Sequence, residues 1–121
     1  MSIDELLMEL QKNYLKSFPA KIELIERLYQ SGDTKALRVE FHKLKGTGLT
    51  YGIAEVSQVG EKMELLCLFK PEHLAQGIPL AIRFLHRMVE LRNKGETPLP
   101  DQDADFQTLA TLAKGLDALV K

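Results

Sequence analysis

The sequence predicts an all-α fold, an up-and-down four-helix bundle with extra helical segments at its N-terminal and C-terminal ends. Three observations predict it. Apolar residues recur at three- and four-residue steps along most of the chain, which is the period of one helix face. No stretch of alternating β-branched residues marks a strand. Short breaks rich in Gly and Pro separate the apolar stripes, and short connections make consecutive helices antiparallel neighbours. At 121 residues and 45% hydrophobic content the chain can build a core without a metal or a disulfide, because roughly two thirds of the unfolded surface is buried at this size.

Each element has its own signal. Ser2 and Glu5 have the spacing of a capping box, and Ile3, Leu6, Leu7, Leu10, Tyr14 and Leu15 form the first stripe. Pro19 either opens a second helix or bends the first, and Ile22, Leu24, Ile25, Leu28 and Tyr29 continue the apolar side as far as Ser31 and Gly32. Asp33 is the N-cap of the next helix, whose stripe is Leu37, Phe41, Leu44, Gly48 and Tyr51. Gly52 turns the chain, and Val56, Val59, Met63 and Leu66 form the partner stripe of an antiparallel hairpin. Lys70 and Pro71 break the pattern. Pro79 then stands where a helix can begin, followed by Ile82, Leu85, Met88, Val89 and Leu91. Gly95, Pro98 and Pro100 give a linker composition, and Phe106, Leu109, Leu112, Ala113, Leu116 and Leu119 predict a last helix packed on the bundle or on a partner. The organisation expected is therefore a bundle over 1–94, a linker over 95–103 and an additional helix over 104–121.

Composition removes several function classes. A net charge of −1 with scattered Lys and Arg gives no electrostatic footprint for nucleic acid. No apolar run approaches the ~20 residues that span a bilayer, and the acidic start MSIDELLMEL does not read as a secretory signal, so a soluble protein without membrane association is expected. The single cysteine, Cys67, lies in an apolar run and reads as a buried thiol of a reducing, cytoplasmic protein. No two of His42, His73 and His86 have metal-ligand spacing, so no metal site is expected. His73 and His86 read as boundary residues, and Arg83 and Arg87 as a solvated face.

His42 stands apart. On a helix of 3.6 residues per turn, Lys35, Arg38, Lys45, Gly46 and Leu49 fall within ~60° of it, away from the packed stripe. Gly46 and Gly48 each weaken a helix interior by roughly 1 kcal/mol relative to alanine, so each needs a local reason. Gly46, one turn beyond His42, leaves room for an incoming group; Gly48, on the inner side, lets a neighbouring helix come close. Lys45 can neutralise phosphoryl oxygens, and a neutral imidazole has one ring nitrogen free to attack phosphorus. Glu64 completes the set by counting: His42 lies 11 residues before Ile53 and Glu64 lies 11 after it, so an antiparallel hairpin sets them level. A carboxylate there orients the ring and selects its tautomer.

The run HKLKGTGLTYG, from His42 to Gly52, resembles the histidine-containing phosphotransfer (HPt) domain family. The resemblance rests on His42, Leu44, Lys45, Gly46, two small residues at Thr47 and Gly48, then Tyr51 and Gly52, with Glu64 at the family's Gln or Glu spacing on the following helix. Thr47 and Gly48 depart mildly from it, since Ser or Ala is more usual there. Over residues 3–93 it implies a four-helix bundle whose histidine takes a phosphoryl group from a receiver aspartyl phosphate and passes it to another receiver. It further implies a carrier rather than an enzyme, with no cofactor of its own, magnesium held by the receiver, and response-regulator receivers or a hybrid histidine kinase as partners. The site residues that follow are His42 as acceptor, Lys45, Gly46 and Glu64 in support, and Lys35, Arg38 and Leu49 on the docking surface. Two other readings stay open: direct phosphorylation of His42 by a histidine kinase, and a helical adaptor that carries no phosphoryl group.

Overall fold

The structure, a computed structural model, describes residues 1–120; Lys121, the end of the expected last segment, lies outside the described residues. Six α-helices and three short 3-10 turns are present among them. Helix α1 spans Ile3–Lys16, and the Ser2 hydroxyl accepts from the Glu5 amide at 3.1 Å, while the Glu5 carboxylate takes up the Ser2 hydroxyl and not its N–H. Of its stripe only Tyr14 and Leu15 are buried; Ile3, Leu6, Leu7 and Leu10 remain exposed. Helix α2, Phe18–Gln30, begins with Pro19 in its first turn, where a missing N–H leaves no helical bond unmade. Asp33 caps α3, Thr34–Thr50, by accepting from the Ala36 amide at 3.0 Å. Gly52, at φ +71°, turns the chain into α4, Ala54–Phe69.

The next helix departs from the sequence expectation. A 3-10 turn, Pro71–His73, leads directly into α5, Leu74–Asn93, so Pro79 lies inside the helix and does not open it. The core explains why: Leu74, Gly77, Ile78 and Ala81 are buried and carry the helical period through the proline. A Cβ on Gly77 would sit 2.9 Å from Leu66 Cδ1, so this part of α5 is pressed against α4. That packing outweighs the one backbone hydrogen bond that proline removes. After a stretch containing the 3-10 turn Pro100–Gln102 comes α6, Ala104–Leu112, and the 3-10 turn Leu116–Leu119 follows Gly115 at φ +81°.

Four helices close a ring: α2 packs on α3, α3 on α4, α4 on α5, and α5 back on α2. Phe18, Ile25, Leu37, Phe41, Val56, Met63, Leu66, Phe84, Leu85 and Met88 fill its centre. Across α4 and α5, buried Glu55 accepts two hydrogen bonds from Arg92, at 2.7 and 2.8 Å, joining the start of one helix to the end of the other. Helix α1 is pinned to the end of α3: Tyr14 stacks on Tyr51 at 4.6 Å, and Gln11 Nε2 donates to the Tyr51 carbonyl at 2.7 Å. Helix α6 packs on α5 and α4, with the Phe84 and Phe106 rings 5.4 Å apart. Arg83 and Arg87 keep much of the solvent exposure that the sequence suggests, but they are also paired. Arg87 makes a two-bonded pair with Asp103 and a further bond to Asp105, and Arg83 makes a two-bonded pair with Asp105. No helix among the described residues is long and apolar enough to cross a membrane.

Candidate functional site

The site is built where α3 and α4 run closest. A Cβ on Gly48 would lie 2.5 Å from the Ser57 amide nitrogen, and one on Gly60 would lie 2.5 Å from the Lys45 amide nitrogen and 2.7 Å from the Phe41 carbonyl oxygen. The two helices therefore meet backbone to backbone between their connecting loop and the level of His42. One turn beyond Gly60 is Glu64, and this close approach brings its short carboxylate arm within reach of the opposite helix.

His42 Nδ1 lies 2.9 Å from Glu64 Oε2. The imidazole side chain is 65% exposed and the Glu64 side chain 12%. An ionised carboxylate offers only lone pairs, so Nδ1 donates this hydrogen bond; in the neutral imidazole that arrangement leaves the lone pair on Nε2. Arg38 Nη1 donates to the same Glu64 oxygen at 3.3 Å, so Arg38 also holds the carboxylate from the side of the preceding turn. Lys45 lines the same cleft as His42 and has no ion-pair partner within 4.0 Å among the described residues. A Cβ on Gly46 would meet nothing within 4 Å, which leaves the surface one turn past His42 open. Leu49 is 68% exposed, and Lys35 is exposed as well. All seven residues singled out from the sequence thus lie on α3 or α4; His42, Glu64 and Arg38 form one hydrogen-bonded set, with Lys45 beside it.

The family model for the Hpt domain matches residues 9–120. The chain belongs to the Hpt domain family. Hpt domains are phosphocarrier modules of two-component systems, generally not enzymes, and are without a known cofactor of their own. No curated protein and no solved structure matches the chain significantly. The Hpt match runs through α6 and into the last turn, so the family extends further than residues 3–93, where the resemblance of the motif and helix order stops.

Both departures in the motif have a local cause in this Hpt domain. Thr47 gives its hydroxyl proton to the Lys43 carbonyl at 2.9 Å and accepts from the buried Tyr14 hydroxyl at 2.6 Å, which ties α1 to α3. Gly48 faces the Ser57 backbone, where even alanine has no room. Sequence reasoning missed Gly60, Glu61 and Leu68, although they stand with Glu64 at three- and four-residue steps on α4. It also missed Asp117 and Val120, which line the cleft beside His42. Nothing in the sequence signals that pair, because their position depends on how the chain returns after Gly115.

Proposed function

We propose that this Hpt domain carries a phosphoryl group on His42 Nε2, taking it from the aspartyl phosphate of a receiver domain and returning it to another. The hydrogen bond from Nδ1 to Glu64 on a ring two-thirds exposed carries the reading. In the forward step the Nε2 lone pair attacks phosphorus, the N–P bond forms, and the acyl phosphate O–P bond breaks with its electrons leaving on the receiver carboxylate. The ring keeps its Nδ1 proton and becomes a cation, which the Glu64 carboxylate stabilises. Arg38 positions that carboxylate. Lys45 offsets charge on the phosphoryl oxygens, and the open surface at Gly46 admits them. Transfer of this kind depends on positioning and charge compensation; a divalent cation on the receiver supplies the remaining charge. Lys35 and Leu49 belong to the face that meets the receiver.

The test is incubation with phosphorylated receiver domains, followed by assay for an acid-labile, base-stable label. Wild-type protein is expected to gain it and His42→Gln to lose it; undiminished label on His42→Gln removes the proposal. Glu64→Ala is expected to slow transfer by about 10- to 100-fold, the size of a lost orienting or charge-stabilising contact. Label acquired from a kinase core lacking any receiver, and from no receiver, would instead assign the kinase as the donor.

A further inference from the structure

Resting on His42 as the phosphoacceptor, we propose that the C-terminal turn Leu116–Leu119, with Val120 after it, forms part of the receiver-docking face and selects among receivers. The cleft beside the histidine, about 460 Å³, has walls from three pieces of chain: His42 and Lys45 of α3, Glu61 and Leu68 of α4, and Asp117 and Val120 of the C-terminal turn. The turn is anchored at its start. Ala113 and Leu116 are buried, at 2% and 7% exposure, and Gly115 at φ +81° reverses the chain between them. Beyond these anchors Leu119 and Val120 are exposed, as is Leu68 on α4.

A receiver must bring its aspartyl phosphate to His42 Nε2. Even a small relay interface covers roughly 600 Å² on each partner, a patch about 14 Å in radius. Residues that line one cleft with His42 fall inside such a patch, so a receiver seated on the histidine also rests on Asp117, Val120 and Leu68. The character of this side is distinct. The α3 strip is basic through Lys35, Arg38 and Lys45, whereas the α4 and C-terminal side offers the carboxylates of Glu61 and Asp117 among exposed aliphatic side chains. The complementary receiver has an apolar rim beside its phosphorylated aspartate and a basic residue opposite Asp117. Charges at the edge of an interface act chiefly on association rate and on rejection of wrong partners, which is how this turn selects.

The experiment compares wild type with Asp117→Lys and Val120→Asp in the full chain, both at exposed positions. Each protein is labelled by a panel of phosphorylated receivers and, separately, by phosphoramidate, a donor too small to dock. For favoured receivers the ratio of receiver-driven to phosphoramidate-driven labelling is expected to fall about tenfold, unevenly across the panel, and Asp117→Lys is expected to weaken the salt dependence of the favoured pair. Ratios within twofold of wild type for every receiver would overturn the proposal, as would an equal fall for all of them. A parallel loss of phosphoramidate labelling would trace the effect to the histidine and overturn it too. Self-association of the wild type abolished by the same substitutions would assign the face to a second copy. Wild type that takes label from neither donor would overturn the phosphoacceptor reading itself.

Discussion

Three glycines near His42 look alike in the sequence and have different physical roles. Gly46 has open space where a Cβ would point, whereas Gly48 and Gly60 face backbone atoms at 2.5 Å. Alanine at Gly46 therefore removes only the flexibility penalty. Gly46→Ala is expected to stabilise the fold by about 1 kcal/mol, a rise of a few degrees in Tm, and, under the proposed function, to slow phosphoryl transfer because a methyl group now stands one turn from His42. Gly60→Ala has no relief available, since the obstacle is backbone, and is expected to lose at least about 1–3 kcal/mol through forced separation of α3 and α4. Thermal unfolding followed by circular dichroism, beside a transfer assay, checks both; a Gly46→Ala protein that is no more stable than wild type would remove the account of that position. The placements of Gly46 and Gly48, one open and one against backbone, were legible because helix angle alone separates the outer strip from the packed stripe. Gly60 was not legible. Its reason lies in the backbone of Lys45, and the distance between two helices is not written in either helix's own periodicity. The level placement of Glu64 was legible because the short Tyr51–Ile53 connection leaves little freedom in register. Arg38 was read as a docking cation because a face assignment cannot say which carboxylate crosses over to meet it.

Among the elements, α5 and α6 show where local signals mislead. Pro79 is a strong marker of a helix start, yet the helix begins at Leu74, because Leu74, Gly77 and Ile78 are needed to fill the groove along α4. The stripe of α6 was legible, but its attachment was not: Asp103 and Asp105 meet Arg87 and Arg83 only after α5 and α6 have packed. Asp103 holds both jobs, accepting from the Phe106 amide at 2.9 Å as N-cap and pairing with Arg87. Asp103→Ala is expected to weaken the start of α6 by about 1 kcal/mol from the cap alone, and Asp103→Asn to keep the cap while giving up the ion pair; amide hydrogen exchange in α6 separates the two. Acid acts on the same joint. The Arg83 and Arg87 guanidiniums beside Asp105 hold its carboxyl below the usual carboxylate range. A depressed folded value means that this pairing stabilises the attachment above about pH 4, where the unfolded carboxyl is already ionised, and that the contribution disappears as pH falls through the lower folded value. Exchange in α6 is expected to quicken several-fold at the acid end relative to α3 and α4. An unchanged ratio would mean that the apolar contacts of Phe106 and Leu109 hold α6 unaided.

At the scale of the whole molecule, the fold class was legible because it depends on periodicity alone, and the closed ring of α2 to α5 is the simplest way to bury four stripes joined by short connections. How the last segment completes the molecule depends on contacts far apart in the chain. Phe106, Leu109, Ala113 and Leu116 belong to the same buried cluster as Phe41, Met63 and Phe84. A division into a bundle over 1–94 and an appended helix is therefore testable by truncation. Removing residues 95–121 uncovers Phe84, whose ring Phe106 covers. Each large apolar side chain taken out of the core forfeits about 1.5–3 kcal/mol, offset in part because the ordering entropy of the deleted residues is no longer lost. The 1–94 chain is expected to keep a cooperative transition, since its four-helix ring stays closed, with a midpoint lowered by several degrees. Cys67 supplies an independent readout. Burial pushes its thiol up to about 12, so alkylation at neutral pH proceeds only when the fold opens. Every 1.4 kcal/mol lost from the opening free energy then speeds labelling about tenfold. A 1–94 chain that melts without a cooperative transition, with Cys67 reacting as fast as in denaturant, would make α6 an integral layer of a single domain and withdraw the division.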